Sequence, residues 1–299
     1  MNVLLTGASG FIGHRLIARS LHEGHSVHAV GRRPPAGFQA IQFSEWKEVS
    51  QEFPARAIET SDAIVHLAGE PIAQKWNPEV KAKIRDSRVN GTRKLVESIA
   101  KQSRRPQVLI SASAIGYYGD RGEELLDENS TAGTGFLPEV CIEWERAARE
   151  AGNLGLRVVL LRTGIVLGKE GGALKQMLTP FKLGVGGPTG SGKQWMSWIH
   201  IDDLVSAMMF ALATPDVAGP VNGTAPNPVR NRELTSTLGA ALGRPAVVPT
   251  PTFALKLMLG EAARIVLESQ KVLPTVLQAA GFPFRHRDVD EALRHAVQS

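Results

Sequence analysis

Apolar residues along this chain fall into two alternating rhythms. Met1-Asn2-Val3-Leu4-Leu5-Thr6 is a short apolar run of strand length. Ile12, Leu16, Ile17 and Leu21 then recur at helical spacing up to Gly24, and Ser26-Val27-His28-Ala29-Val30 is apolar again. A run of four to eight apolar residues predicts a buried strand, and the i, i+4, i+5 spacing predicts an amphipathic helix. The opening thirty residues therefore predict a β-α-β unit.

The same rhythm continues. Ile41-Gln42-Phe43 predicts a short strand, Trp46 to Ile58 a weakly marked helical crossover, and Asp62-Ala63-Ile64-Val65-His66-Leu67-Ala68-Gly69 a buried strand closed by a small-residue turn. Asn77-Pro78 reads as N-cap and first helical residue of a bent helix running toward Ala100. Gln107 to Ser113 and Arg157 to Leu161 are further strands, with a loop from Gly133 to Pro138 and a helix from Glu139 to Ala151 between them. Strand and helix thus alternate about six times in 165 residues, which predicts an α/β, Rossmann-type doubly wound parallel sheet.

Beyond Gly168 the pattern changes. Ala173 to Leu183 is helical, Gly184 to Lys193 is glycine-rich, and Trp198-Ile199-His200-Ile201 is a short strand before a helix capped by Asp202 and Asp203. An apolar strand near Val221, a helix from Asn231 to Leu242, a Pro-bracketed strand at Val247-Val248 and helices from Thr252 onward complete the chain. The expected domains are a Rossmann domain over residues 1–168, with 195–215 returning to it, a smaller α/β substrate domain over 169–249, and a mostly helical C-terminal domain over 250–299.

The turn after the first strand carries the first chemistry. Gly7, Gly10 and Gly13 form G-x-x-G-x-x-G, where glycines permit a tight turn, close approach of backbone to a pyrophosphate, and close packing of helix on sheet. The helix N-terminus points free N–H groups at the anion. At the end of the second strand, where an acid would hold the adenosine ribose of NAD, stand Arg32 and Arg33, which suit the extra phosphate of NADP.

Composition narrows the classes. The 299 residues are 43% hydrophobic and 21% charged, which excludes a largely disordered chain. A net charge of +5 is not concentrated in any Lys/Arg block, so no nucleic-acid partner is expected. With one cysteine, Cys141, no intramolecular disulfide can form, and its place between Val140 and Ile142 points to packing. No apolar run has the length of a membrane span and the first strand begins at once, so a cytoplasmic protein with no membrane partner is expected. A homodimer is among the assemblies this architecture allows.

These motifs together resemble the extended short-chain dehydrogenase/reductase superfamily, in its atypical, epimerase-like branch. The likeness rests on Thr6-Gly7-Ala8-Ser9-Gly10-Phe11-Ile12-Gly13, His66-Leu67-Ala68-Gly69, Asn90-Gly91-Thr92, Ser111-Ala112-Ser113 with Tyr117-Tyr118-Gly119, Leu161-Arg162-Thr163-Gly164 with Leu167-Gly168, and Trp198 to Asp203. Ser269 to Pro274 and Ala280-Gly281-Phe282 resemble the small domain of unknown function that accompanies this branch. The resemblance implies NADP bound by Gly7, Ser9, Gly10, Phe11, Ile12 and Gly13 at the pyrophosphate and by Arg32 and Arg33 at the 2′-phosphate. Leu67, Ala68 and Gly69 would border the adenosine and ribose, and Thr163, Gly164, Ile165 and Val166 the nicotinamide. Arg88 stands where the family often has asparagine, and is grouped with the cofactor residues.

The resemblance fails at the catalytic helix. Active members carry Tyr-x-x-x-Lys, whose lysine lowers the tyrosine pKa for proton exchange with substrate. Here Phe136 to Glu145 holds neither residue, whether the register is Val140/Trp144 or Cys141/Glu145. Ser111 or Ser113 corresponds to the family's serine, and Tyr117 or Tyr118 offers a replacement phenol or packs in the cleft wall. Lys193, Trp195 and His200 are candidate substrate contacts. Gly187 to Gln194 nearly spells a P-loop, but Gln194 stands where Ser/Thr should bind magnesium. No metal site is expected, since His200, Asp202 and Asp203 stand too close together to point at one ion. The expected function is an NADP-dependent oxidoreductase or epimerase acting on a small polar, sugar-like substrate. The alternative is a non-catalytic NADP(H) sensor.

Overall fold

The computed structural model describes residues 1–298. The first half runs β1 (Asn2–Thr6), α1 (Phe11–His22), β2 (Ser26–Gly31), β3 (Gln42–Glu45), α2 (Ala55–Glu59), β4 (Ala63–His66), α3 (Pro78–Ala100), β5 (Val108–Ala114), β6 (Leu125–Leu126), α4 (Phe136–Arg149), β7 (Arg157–Thr163) and β8 (Ile165–Leu167). The second runs α5 (Gly172–Lys182), β9 (Trp195–Met196), β10 (Trp198–His200), α6 (Ile201–Ala213), β11 (Gly219–Gly223), β12 (Val229–Arg230) and α7 (Asn231–Leu242). It ends with α8 (Thr252–Leu259), α9 (Arg264–Leu267), β13 (Lys271–Val272), α10 (Thr275–Ala279) and α11 (Val289–Gln298).

Seven strands form one parallel sheet in the order β11-β7-β5-β4-β1-β2-β3. Successive strand residues face opposite sides. Val3, Leu5, Val65 and Ile110 meet Leu16, Ile17, Leu204 and Met208 of α1 and α6 on one side. Leu4, Ile64 and Leu109 meet Ile58, Leu95 and Ile99 of α2 and α3 on the other. Strand order reverses between β1 and β4, and in sheets of this type ligands bind at the carboxyl ends of the strands beside that reversal.

Several expectations are met through local chemistry. The Val80 N–H donates to Asn77 Oδ1 at 2.8 Å, with Pro78 in the first turn, and α3 then runs uninterrupted for 23 residues. Others are corrected. The crossover from Trp46 is irregular up to Pro54, where proline lacks an N–H, and only α2 is helical. Trp46 and Phe53 are nevertheless buried edge to face, with ring centroids 4.9 Å apart. Helix α4 starts at Phe136, inside the expected loop, because Pro138 in the first turn loses no hydrogen bond.

Val247-Val248 is not a strand. Both residues are exposed, and a single bridge, Thr189 to Thr250, lies nearby. The strand near Val221 is β11, the edge of the large sheet beside β7, so residues 219–223 belong to the Rossmann body and not to the substrate domain. Asp202 and Asp203 do not cap α6. The cap is His200, whose Nδ1 accepts the Asp202 N–H at 3.1 Å.

The C-terminal residues are tied into the body. Strand β13 pairs with β6, Ser197 Oγ accepts the Val272 N–H at 2.8 Å, and α11 closes a core with α7 through Leu234, Leu238, Leu293 and Ala296. Among the described residues no helix is long and apolar enough to cross a membrane.

Candidate cofactor cleft

The glycine turn sits at the carboxyl end of β1. Gly7 has φ 71°, a left-handed conformation, and a Cβ there would lie 2.8 Å from the Leu67 carbonyl carbon. At Gly13 a Cβ would lie 2.3 Å from Gly7 O, so only glycine lets α1 start this close to the turn. No side chain caps α1 and its first turn carries no acid, so its N-terminal N–H groups and positive dipole end face the opening beside exposed Ser9 and Gly10. Phe11 packs against Gly168 and Gly171, which fixes the helix start against the second half of the chain.

Arg32 and Arg33 follow β2 directly and are exposed. Neither makes an ion pair among the described residues. Their loop is held to α1 through His14, whose Nε2 lies 3.3 Å from Ala36 O and whose ring lies 4.7 Å from that of Phe38. On the opposite wall the Ala68 N–H donates to Thr6 Oγ1 at 3.2 Å, and Thr6 Oγ1 lies 2.7 Å from buried His66 Nδ1. Burial holds the His66 imidazole neutral, with its pKa lowered to about 4. Arg88 lies against Gly69, donates to the Glu70 and Ile84 carbonyls at 2.9 and 3.1 Å, and faces the Trp144 ring at 5.2 Å. Burial lowers its pKa below the usual guanidinium value.

At the ends of β5 and β7 the structure assembles a group that pattern reading did not join. Ser113 Oγ donates to Glu145 Oε1 at 2.8 Å. Arg162 grips the same carboxylate with two bonds, of 2.8 Å from Nε and 2.9 Å from Nη2, and donates to the Tyr118 hydroxyl oxygen at 3.0 Å. Its guanidinium carbon lies 3.5 Å from the centre of the Tyr117 ring. Burial by itself would lower the Arg162 pKa, but the bonds and charge of Glu145 outweigh it and raise the value. Arg162 is 1% exposed and Glu145 3%, so this ion pair is interior.

The candidate catalytic residues separate accordingly. Ser113 joins the cluster, whereas Ser111 is buried with one poor contact, 3.4 Å to Ala112 O. Tyr118 cannot serve as the replacement phenol. It is wholly buried, its hydroxyl donates to Asn222 Oδ1 at 2.8 Å, and burial pushes its pKa up to about 12. Tyr117 is half-buried and stacks edge to face on Tyr118. Cys141 is packed, as its surroundings predict: burial pushes the thiol up to about 12, with Sγ 3.9 Å from Ala114 O.

Among the substrate candidates, Lys193 is exposed, and Trp195 lies between Arg230 (4.0 Å) and Lys271 (4.4 Å) with Nε1 donating to Glu123 at 3.0 Å. His200 does not line a substrate surface. It is 1% exposed, and its ring faces inward to His286 and His295, because the helix it caps turns the imidazole toward the C-terminal segment.

Residues 3–222, nearly three quarters of the chain, match the model of the NAD dependent epimerase/dehydratase family. The chain belongs to that family. Residues 250–296 match a domain of unknown function, DUF1731. The chloroplastic epimerase family protein SDR39U1 homolog of Arabidopsis thaliana is 46% identical over all of this chain and 87% of its own length. An epimerase family protein of Mycobacterium bovis is 42% identical over 99% of this chain and 97% of its own. The crystal structure of human epimerase family protein SDR39U1 (isoform 2) with NADPH superposes with a TM-score of 0.90 at 34% identity, covering 100% of both chains.

Set against the family's Tyr-x-x-x-Lys helix, α4 presents Cys141 and Glu145 toward β5, while Val140 is buried and Trp144 donates to Thr92 Oγ1 at 2.9 Å. In the Cys141/Glu145 register Glu145 itself, neutralised by Arg162, stands where the lysine would be. Glu145 and Arg162 are the site residues that motif reading passed over. The available signal was a glutamate on the apolar face of α4, since a buried charge requires a partner.

Proposed function

We propose that the chain binds NADP(H) and serves an oxidoreductase or epimerase-like reaction on a small polar, sugar-like substrate. The observation that supports this reading is the glycine turn, where a Cβ at Gly7 or Gly13 would collide with backbone of the turn and of Leu67, so only glycine lets the uncapped start of α1 sit this close to the end of β1, as a pyrophosphate-binding turn requires. Gly7, Ser9, Gly10, Phe11, Ile12 and Gly13 bind the pyrophosphate and Arg32 with Arg33 the 2′-phosphate. Leu67, Ala68 and Gly69 border the adenosine ribose, with Arg88 behind them. Thr163, Gly164, Ile165 and Val166 flank the nicotinamide. When bound, the cofactor supplies hydride transfer.

This chain's own residues handle the proton. With its hydrogen donated to Glu145, Ser113 Oγ keeps lone pairs to accept from a substrate hydroxyl. Tyr117, stacked on the Arg162 guanidinium, is the phenol that exchanges a proton with substrate. Lys193 and Trp195 contact the substrate's polar groups.

One observation favours a second reading, a non-catalytic NADP(H) sensor: Glu145, Arg162 and Tyr118 satisfy one another in a closed buried network. A screen of sugars and carbonyl compounds for NADPH oxidation, run on wild type and Tyr117→Phe, separates the two. The enzyme reading predicts a substrate whose turnover falls about 100-fold or more in the variant. Turnover untouched by Tyr117→Phe removes Tyr117 from the chemistry, and cofactor binding with no turnover across the screen favours the sensor.

A further inference from the structure

We propose that His200, His286 and His295, with Asp202, form a binding site for one divalent transition-metal ion of the zinc class, joining the start of α6 to the C-terminal segment. The four side chains each offer a ligand atom, and these atoms lie within 4.8 Å of one another. His200 Nε2 and His295 Nδ1 are already 3.2 Å apart although 95 residues separate them in the chain. Metal–nitrogen bonds of about 2.0–2.1 Å set tetrahedral ligand–ligand edges of roughly 3.3 Å. One edge of the polyhedron is therefore preformed, and the others close by small side-chain shifts.

A second observation is independent of that spacing. His286 is 1% exposed, its ring centroid lies 4.0 Å from that of His200, and neither of its ring nitrogens has a hydrogen-bond partner. A buried polar ring with no partner is uncommon, and an ion among three imidazoles removes the deficit. The backbone holds this ring in place, since the Asp203 carboxylate accepts the Arg285 and His286 N–H groups at 3.0 and 2.8 Å.

The donor set and its surroundings suit a metal. Three imidazoles and a carboxylate are zinc ligands, provided the rings are neutral. Burial and the neighbouring histidine hold His200 down at about 3, and burial lowers His286 as well. A carboxylate stands behind one ring, Glu291 Oε1 at 3.9 Å from His286 Nδ1, where such groups orient metal-bound imidazoles. Arg15 occupies only Oδ1 of Asp202, at 2.6 Å, leaving Oδ2 toward the cluster. Asp202 also lines an open groove of ≈ 760 Å³ with Arg15 and Arg285.

Protons balance without loss. The Asp202 N–H donates to His200 Nδ1, which puts the His200 proton on Nε2, facing His295. Binding at Nε2 moves that proton to Nδ1, and the Asp202 N–H gives up its bond to that nitrogen. The net charge of the neutral rings is unchanged, and the ion brings its own.

The test uses the untagged full chain, stripped with a chelator and titrated with Co²⁺ while its visible ligand-field absorption is followed, then with Zn²⁺ in competition. The proposal predicts one equivalent bound, displacement of cobalt by zinc, and a Zn²⁺-dependent rise in Tm. His295→Gln, at a half-buried position, weakens Co²⁺ binding by more than about 100-fold, and Glu291→Gln, behind the ligand, weakens it about 10-fold. Circular dichroism confirms that each variant is folded. Absence of stoichiometric binding by the folded wild type overturns the proposal. So does binding indifferent to His295→Gln and Glu291→Gln.

Discussion

Glu145→Gln is the sharpest test of the interior. The substitution keeps the shape of the side chain but removes the charge that Arg162 Nε and Nη2 bond at 2.8 and 2.9 Å. Arg162, 1% exposed, is left with the Tyr118 hydroxyl at 3.0 Å, the Glu128 carbonyl at 3.3 Å and one neutral amide oxygen. Removing one partner of a buried pair leaves an uncompensated charge and costs about 3–5 kcal/mol. In a chain of this size that is on the order of 5–8 °C in Tm. Arg162→Met is expected to be milder, because Arg149 Nη2 stands 3.6 Å from Glu145 Oε2 and can still partner the carboxylate. In the double variant Glu145→Met/Arg162→Met no buried charge remains, so most of the loss returns, apart from about 1 kcal/mol for the Ser113 hydroxyl. Urea and thermal unfolding of wild type, Glu145→Met, Arg162→Met and the double variant give the coupling. A Glu145→Gln loss below about 1 kcal/mol, or a double variant as unstable as the sum of the singles, refutes the argument.

Other outcomes follow from the same packing. Gly13→Ala should abolish cofactor binding in a protein that still folds, because its Cβ would lie 2.3 Å from Gly7 O; isothermal titration reads the loss. His66 has a lowered pKa of about 4 in the folded chain against about 6.5 unfolded, so the unfolded state takes the proton first. Its contribution is intact above about pH 6.5 and declines by about 3 kcal/mol as pH falls to 4, and this part of the urea-midpoint slope should vanish in His66→Gln. Cys141, with its thiol pushed to about 12, should resist iodoacetamide at pH 8 until urea unfolds the chain, which mass spectrometry would register.

What the sequence reveals and conceals divides along contact distance. The β1–turn–α1 unit is legible because strand, glycines and helix are neighbours, and the Asn77-Pro78 start of α3 is likewise local chemistry. Sheet membership of β11 is not, since an apolar run near Val221 says nothing of which strand it will join. The Glu145–Arg162 pair spans 17 residues and two elements, so only the misplaced charge on an apolar face signals it. His200 reads as a substrate contact beside two aspartates until the chain brings His295 within 3.2 Å of it. Tyr117 and Tyr118 are equivalent in sequence, and the short 3₁₀ turn that ends β5 buries one and leaves the other half-open.

The central claim is that this family member is built for NADP(H). Its most direct test is a fluorescence titration of wild type and Arg32→Ala with NADPH and NADH. The account predicts tighter binding of NADPH by wild type, and a loss of about 10–100-fold for NADPH alone in the variant, the worth of a charged hydrogen bond to the 2′-phosphate. Equal affinity for the two cofactors, unchanged by Arg32→Ala, would contradict it.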